Sequence, residues 1–174
     1  MAFAPSSLIL ANYILPINEG VMHFRKLEKS VNPIYDTSNT FAKIIAGEAP
    51  CVKVYEDDLT LAFMDIMPQK DGHVLVVPKE QAVTIYDLSA EAAQACMLTV
   101  QKIGKALERA MGVTGSTIFQ HNGSSAGQTV GHFHFHVFPG PLLVIKDHGV
   151  QFEEVGKLKE IAALIIAQLE SPHA

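Results

Sequence analysis

Three histidines at alternate positions, His132, His134 and His136, are the strongest concentration of reactive side chains in the sequence. Phe133 and Phe135 separate them, and Val137 and Phe138 follow, a period-two alternation that predicts a β-strand over 132–138. On such a strand the imidazoles share one face at roughly 6.6 Å per step, while the phenylalanines turn towards a core. An imidazole near neutrality can act as nucleophile, general acid or base, or metal ligand. One ion shared by the outer pair is disfavoured, because His132 and His136 stand about 13 Å apart on a regular strand. Just upstream runs Gly123-Ser124-Ser125-Ala126-Gly127-Gln128-Thr129. Its small residues let the backbone approach a ligand closely and turn N–H groups towards an anion. A donor loop beside a row of histidines suits a phosphate.

The elements that must position these groups follow from periodicity and punctuation. Thr37 or Ser38 can cap a short helix through Lys43 to Ala46, closed by Gly47 and Pro50. Val52–Glu56 and Leu59–Met64 read as two strands joined at Asp57-Asp58, and His73–Pro78 as a third whose continuous apolar run marks a buried strand. Ser89–Met111 is the best helix in the chain. Ser89 caps it, Glu91 and Arg109 suit the two ends of its dipole, and Gly112 stops it. Its stripe of Ala92, Cys96, Val100, Ile103 and Leu107 should pack on the sheet. Ser116–Gln120 is the fourth strand, 132–138 the fifth, and a last helix runs from about Glu153 to Gln168. The expected fold class is α+β: a five-stranded, mainly antiparallel sheet with one long helix and shorter flanking helices.

At 174 residues with a net charge of −5, the chain suits a single domain and argues against broad binding of nucleic acid, which needs dense Lys and Arg. Cys51 and Cys96 lie far apart with no C-x-x-C, so both read as reduced thiols of a cytoplasmic protein. No apolar run reaches the roughly 18 residues of a membrane span. Residues 1–36 carry no defensible periodicity and read as a tail or extension. Met22 opens the basic stretch HFRKLEK, which raises the expectation that translation starts there. Residues 37–140 then form the domain that carries the histidine row, and 141–174 a tail and helix packed on it.

The pattern His-φ-His-φ-His-φ-φ behind Gly-Gln-Thr resembles the signature of the histidine-triad (HIT) superfamily, in its bacterial nucleotide-binding branch. The likeness extends in order through FAKIIAGEAP, VYEDDLTLAFMDIMPQ, GHVLVVPK and HNGSSAGQTVGHFHFHVFP. It implies that His134 attacks the α-phosphorus of a bound nucleotide and that His132 and His136 flank it. By the same likeness His73 stands behind the triad, and Gly127, Gln128 and Thr129 grip the phosphate. Asn122 lies near phosphate or ribose, and Asp65 accepts the ribose hydroxyls. Phe41, Ile44, Phe63, Ile66 and Leu75 line the slot for the base. On residue type alone Asp65 is equally a turn carboxylate, His73 a packed histidine, and the five apolar residues core. The pattern departs from bacterial relatives that carry C-x-x-C where this chain has Asn39-Thr40-Phe41-Ala42, and a histidine after Pro-Lys where it has Glu80-Gln81. The structural zinc site of those relatives is therefore expected to be missing, and no cofactor is implied.

The resemblance thus implies a hydrolase or transferase acting on nucleoside monophosphate esters or phosphoramidates of the AMP and GMP type through a nucleotidyl-histidine. Its partners would be purine nucleoside monophosphate conjugates and a second copy of the chain in a homodimer. A dinucleoside polyphosphate hydrolase and a non-catalytic purine-nucleotide binder are the alternatives.

Overall fold

The structure is a computed structural model that describes residues 34–142 and 151–170. Most of the expected N-terminal tail, including Met22 and the basic stretch after it, lies outside the described residues, as does 143–150. The element order is α1 (Thr40–Ile45), β1 (Lys53–Glu56), β2 (Thr60–Met64), β3 (Val74–Pro78), α2 (Ala90–Met111), β4 (Ser116–Gln120), β5 (Phe135–Pro139) and α3 (Val155–Leu169). The strands form one sheet in the order β1-β2-β3-β5-β4, every neighbouring pair antiparallel. The α+β expectation holds. No helix among the described residues is long and apolar enough to cross a membrane.

Alternation assigns each face of the sheet. Ala62, Met64, Val74, Val76 and Val137 point to one side and join Val100, Ile103 and Leu107 of α2 and Leu158, Ile161 and Ile165 of α3 in a single apolar cluster. Leu61, Phe63, Leu75 and Val77 point to the other, where Phe41 of α1 covers them. Helix α2 is held at its ends as its sequence demands. Ser89 accepts the Ala92 N–H, Glu80 in turn holds Ser89, and Gly112 closes the helix at φ +64°.

Two boundaries differ from expectation for identifiable reasons. Helix α1 is capped by Asn39, which accepts the Ala42 N–H at 2.9 Å, rather than by Thr37 or Ser38. The Asp36 carboxylate has already engaged the N–H and hydroxyl of Ser38, which moves the cap one residue on. The fifth strand begins at Phe135, three residues later than the alternation predicts. Ahead of it, the His132 carbonyl is taken by the His134 ring and the Phe133 N–H by Ala82, so these groups are not available to a ladder.

Candidate active site

The triad sits where the irregular lead-in meets β5, and all three imidazoles are buried, His132 completely. His134 Nδ1 lies 2.7 Å from the carbonyl oxygen of His132. A carbonyl only accepts, so Nδ1 carries the proton and the ring's lone pair is placed on Nε2. His132 meets a second carbonyl, that of Pro78, at 2.9 Å from its Nε2, and the phenol of Tyr35 at 2.5 Å from its Nδ1. Burial holds the His132 pKa below its ordinary value, partly offset by the bond to Pro78, so the ring is neutral near pH 7.

His136 belongs to a different chain of contacts. Its Nδ1 lies 2.9 Å from Nε2 of the fully buried His73, and His73 Nδ1 lies 3.2 Å from Asp65 Oδ2. The Gln69 N–H also approaches that Nδ1, at 3.3 Å. The two contacts demand opposite protonation of one nitrogen, and the charge-assisted bond to the carboxylate is the stronger. A Nδ1–H on His73 then makes its Nε2 the acceptor for His136. Asp65, His73 and His136 are also the donor atoms that come closest to a metal-binding cluster among the described residues, all within 4.8 Å of one another. The spacing at 2.9 Å suits a shared proton, since two nitrogens on one zinc stand about 3.3 Å apart at ordinary bond lengths.

Phe41, Ile44, Phe63, Ile66 and Leu75, the residues expected to line a base slot, all face one cavity of about 360 Å3, and Asp65 is among its walls. Phe41 joins slot to triad, its ring edge-on to His134 at 5.1 Å between centroids. Cys51, from the stretch before β1, and Val155, Leu158 and Lys159 of α3 are also in the lining, which residue type alone did not signal.

The loop before the triad is organised differently from a simple anion cradle. The N–H groups of Ala126, Gly127 and Gln128 close on Ser124 and Gly123 carbonyls inside the loop. The Gln128 amide is a clip: its oxygen accepts the Gly123 N–H, and its nitrogen donates to Val83 and Val130 and, at 3.4 Å, to His132. Asn122 is used in the same way, accepting from the Ile85 N–H and donating to Gln120. Thr129 stands exposed beside them. Gly127 has φ +94°, and a Cβ there would sit 2.8 Å from the His121 ring. His121 in turn stacks on Phe119, which stacks on His136. Tyr35 and His121 are the two site neighbours that sequence reasoning missed.

Residues 46–141 match the HIT domain family model. The adenosine 5'-monophosphoramidase hnt1 of Schizosaccharomyces pombe is 44% identical over 101 residues, covering 58% of this chain and 73% of that protein. A Hit-like protein involved in cell-cycle regulation from Bartonella henselae has the same fold at TM-score 0.68 and 41% identity, over 77% of this chain and 98% of that one. A Zn-bound histidine triad family protein from Mycobacterium smegmatis follows at TM-score 0.66 and 31% identity, over 76% and 94%. The sheet, the triad and these matches agree, and the chain belongs to the HIT domain family.

Proposed function

We propose that the protein is a nucleotide hydrolase that cleaves nucleoside monophosphate phosphoramidates or esters of the AMP or GMP type through a nucleotidyl intermediate on His134. The observation that carries this reading is the bond from His134 Nδ1–H to the His132 carbonyl, which leaves the second ring nitrogen as the nucleophilic one. The name of the fission yeast relative, a phosphoramidase of adenosine 5'-monophosphate, supports the choice of substrate class.

In the reaction so read, Nε2 of His134 forms a bond to the α-phosphorus as the bond from phosphorus to the leaving amine breaks. The amine departs with a proton from His136, whose protonated ring is steadied through His73 by the Asp65 carboxylate. Water then attacks the same phosphorus, the N–P bond to His134 breaks, and the proton returns to His136. Nucleoside monophosphate and free amine are the products. Thr129 and the loop it ends stabilise charge on the phosphoryl oxygens, with Gln128 and Gly127 shaping that loop and Asn122 tying it to the β3–α2 connection. Asp65 Oδ1 accepts the Met67 N–H and Oδ2 faces His73, and this held carboxylate is the group assigned to the ribose hydroxyls. The cavity faced by Phe41 and Leu75 takes the base.

The assembly proposed with this activity is a homodimer through the edge strand β4, where Ile118 is 45% exposed. The location is the cytoplasm, where the free thiols Cys51 and Cys96 stay reduced. Comparing kcat/KM for an adenylyl-lysine mimic with that for a dinucleoside tetraphosphate tests the reading. Preference for the phosphoramidate is expected. Preference for the tetraphosphate favours a polyphosphate hydrolase, and binding of AMP without turnover of either compound overturns the enzymatic reading.

A further inference from the structure

We infer that Tyr35 is a positioning residue for the nucleophile, acting on His134 through the ring and backbone of His132. The inference rests on the reading of His134 as nucleophile. Tyr35 lies upstream of residues 46–141, so its contact with the triad comes from outside the stretch that the family model matches.

His132 is fully buried and held at both ring nitrogens. The Pro78 carbonyl requires a proton on Nε2, which leaves Nδ1 of the neutral ring as an acceptor. The Tyr35 hydroxyl, 2.5 Å away, is the donor that meets it, with the two rings edge-on at 5.6 Å and 66°. Burial raises the phenol pKa and lowers that of His132, so both groups stay in the protonation states this bond needs.

The consequence reaches His134 through covalent structure. Fixing the His132 side chain fixes the backbone that carries its carbonyl. That carbonyl is the acceptor that keeps the proton on His134 Nδ1. While Tyr35 and Pro78 occupy both nitrogens, His132 has no ring N–H to offer a phosphate, so its part is to hold rather than to donate.

Tyr35 is itself anchored by the entry to α1. The neighbouring Asp36 carbonyl accepts the N–H and side-chain amide of Asn39, and Asn39 caps the helix. That helix delivers Phe41 edge-on to His132 and His134. One short segment therefore places a phenol and a phenyl ring against two of the three imidazoles.

The test combines histidine 15N spectra of the full chain, wild type and Tyr35→Phe, with kcat and KM for an adenosine phosphoramidate. His132→Asn and His134→Ala spectra assign the signals. The wild type is expected to show His132 protonated at Nε2 and accepting at Nδ1. Tyr35→Phe is expected to shift that Nδ1 signal, to speed exchange of the His134 Nδ1 proton, and to lower kcat about tenfold while KM changes less than about threefold. A wild-type His132 protonated at Nδ1 overturns the proposal, even if the variant does not fold. So does a folded Tyr35→Phe protein with an unaltered His134 Nδ1–H signal or an unaltered kcat. Absence of turnover in the wild type would instead sink the hydrolase reading, while the spectra would still report whether the Tyr35 bond exists.

Discussion

The two faces of the sheet are built from the same strands and obey different rules. On the helix-covered face, aliphatic residues of β2, β3 and β5 meet α2 and α3 in one cluster whose requirement is volume and apolarity. On the opposite face each imidazole of the triad has a named partner: Tyr35 and Pro78 for His132, the His132 carbonyl for His134, and His73 for His136. The first face spreads its stabilisation over many interchangeable contacts. The second concentrates its chemistry in a few bonds whose direction matters. Substitutions on the two faces should therefore leave opposite signatures.

His134→Ala is the largest expected break. It should lower turnover of an adenosine phosphoramidate on the order of 10⁴-fold, because a step that needs the nucleophile has no substitute. The melting temperature should stay near that of the wild type, which calorimetry beside steady-state kinetics will check. Ile103→Ala reverses the pattern. Its side chain is fully buried between helix and sheet, so the truncation should cost about 2–5 kcal/mol in urea unfolding while kcat below the transition changes little. Loss of activity out of proportion to loss of fold in this variant would blur the distinction between the faces.

Asp65→Asn sharpens the comparison within the site. Removing the charge loosens the contact to His73 and, on the proposed reading, weakens hydrogen bonds to the ribose, each worth about 1.5–3 kcal/mol. KM for an adenosine substrate should rise by about ten- to a hundredfold. A 2'-deoxy substrate should lose less on the same substitution, and equal losses would remove Asp65 from the ribose.

The smallest effect is a pH dependence of stability. His132 has a folded-state pKa below its ordinary value of 6.5, so below that value the unfolded chain binds the proton first. Stability from this group is fully present above 6.5 and declines, by at most about 1.4 kcal/mol per pH unit, as pH falls through the folded-state pKa. Urea titrations between neutral and mildly acidic pH should show the decline in wild type and a shallower one in His132→Asn. Labelling of thiols adds a qualitative check. Cys96, whose pKa burial pushes up to about 12, should resist alkylation in the folded protein, while the half-buried Cys51, whose pKa burial also raises, should react more slowly than a free thiol and be protected by a nucleotide filling the cavity it lines.

The helix-covered face was legible because its rules are local. Ser89 and Gly112 mark the ends of α2, and the spacing of Val100, Ile103 and Leu107 marks its buried side. In β2, by contrast, all five residues are buried, so residue type does not tell which face Leu61 and Phe63 take and which Ala62 and Met64. The site face was legible only in part. The histidine spacing and the resemblance it carries singled out the three imidazoles, His73 and five apolar residues that the structure gathers around one cavity. The start of β5 was misplaced because a period-two pattern cannot register that a side chain has captured the His132 carbonyl. Tyr35 could not be found at all, since 97 positions separate it from His132 and nothing near it is periodic. Gln128 and Asn122 are expected from the resemblance to face the ligand, and their use as clips could not be read from the sequence because it depends on backbone groups of other segments.

The central claim is that His134 becomes covalently attached to the nucleotide. Rapid quenching of a reaction with an adenosine phosphoramidate labelled at the α-phosphate, followed by mapping of the labelled peptide, addresses it directly. A transient adenylyl group on His134, formed and lost at rates consistent with turnover, is the predicted result. Turnover with no label on His134 at any time, or label on another side chain, would contradict it.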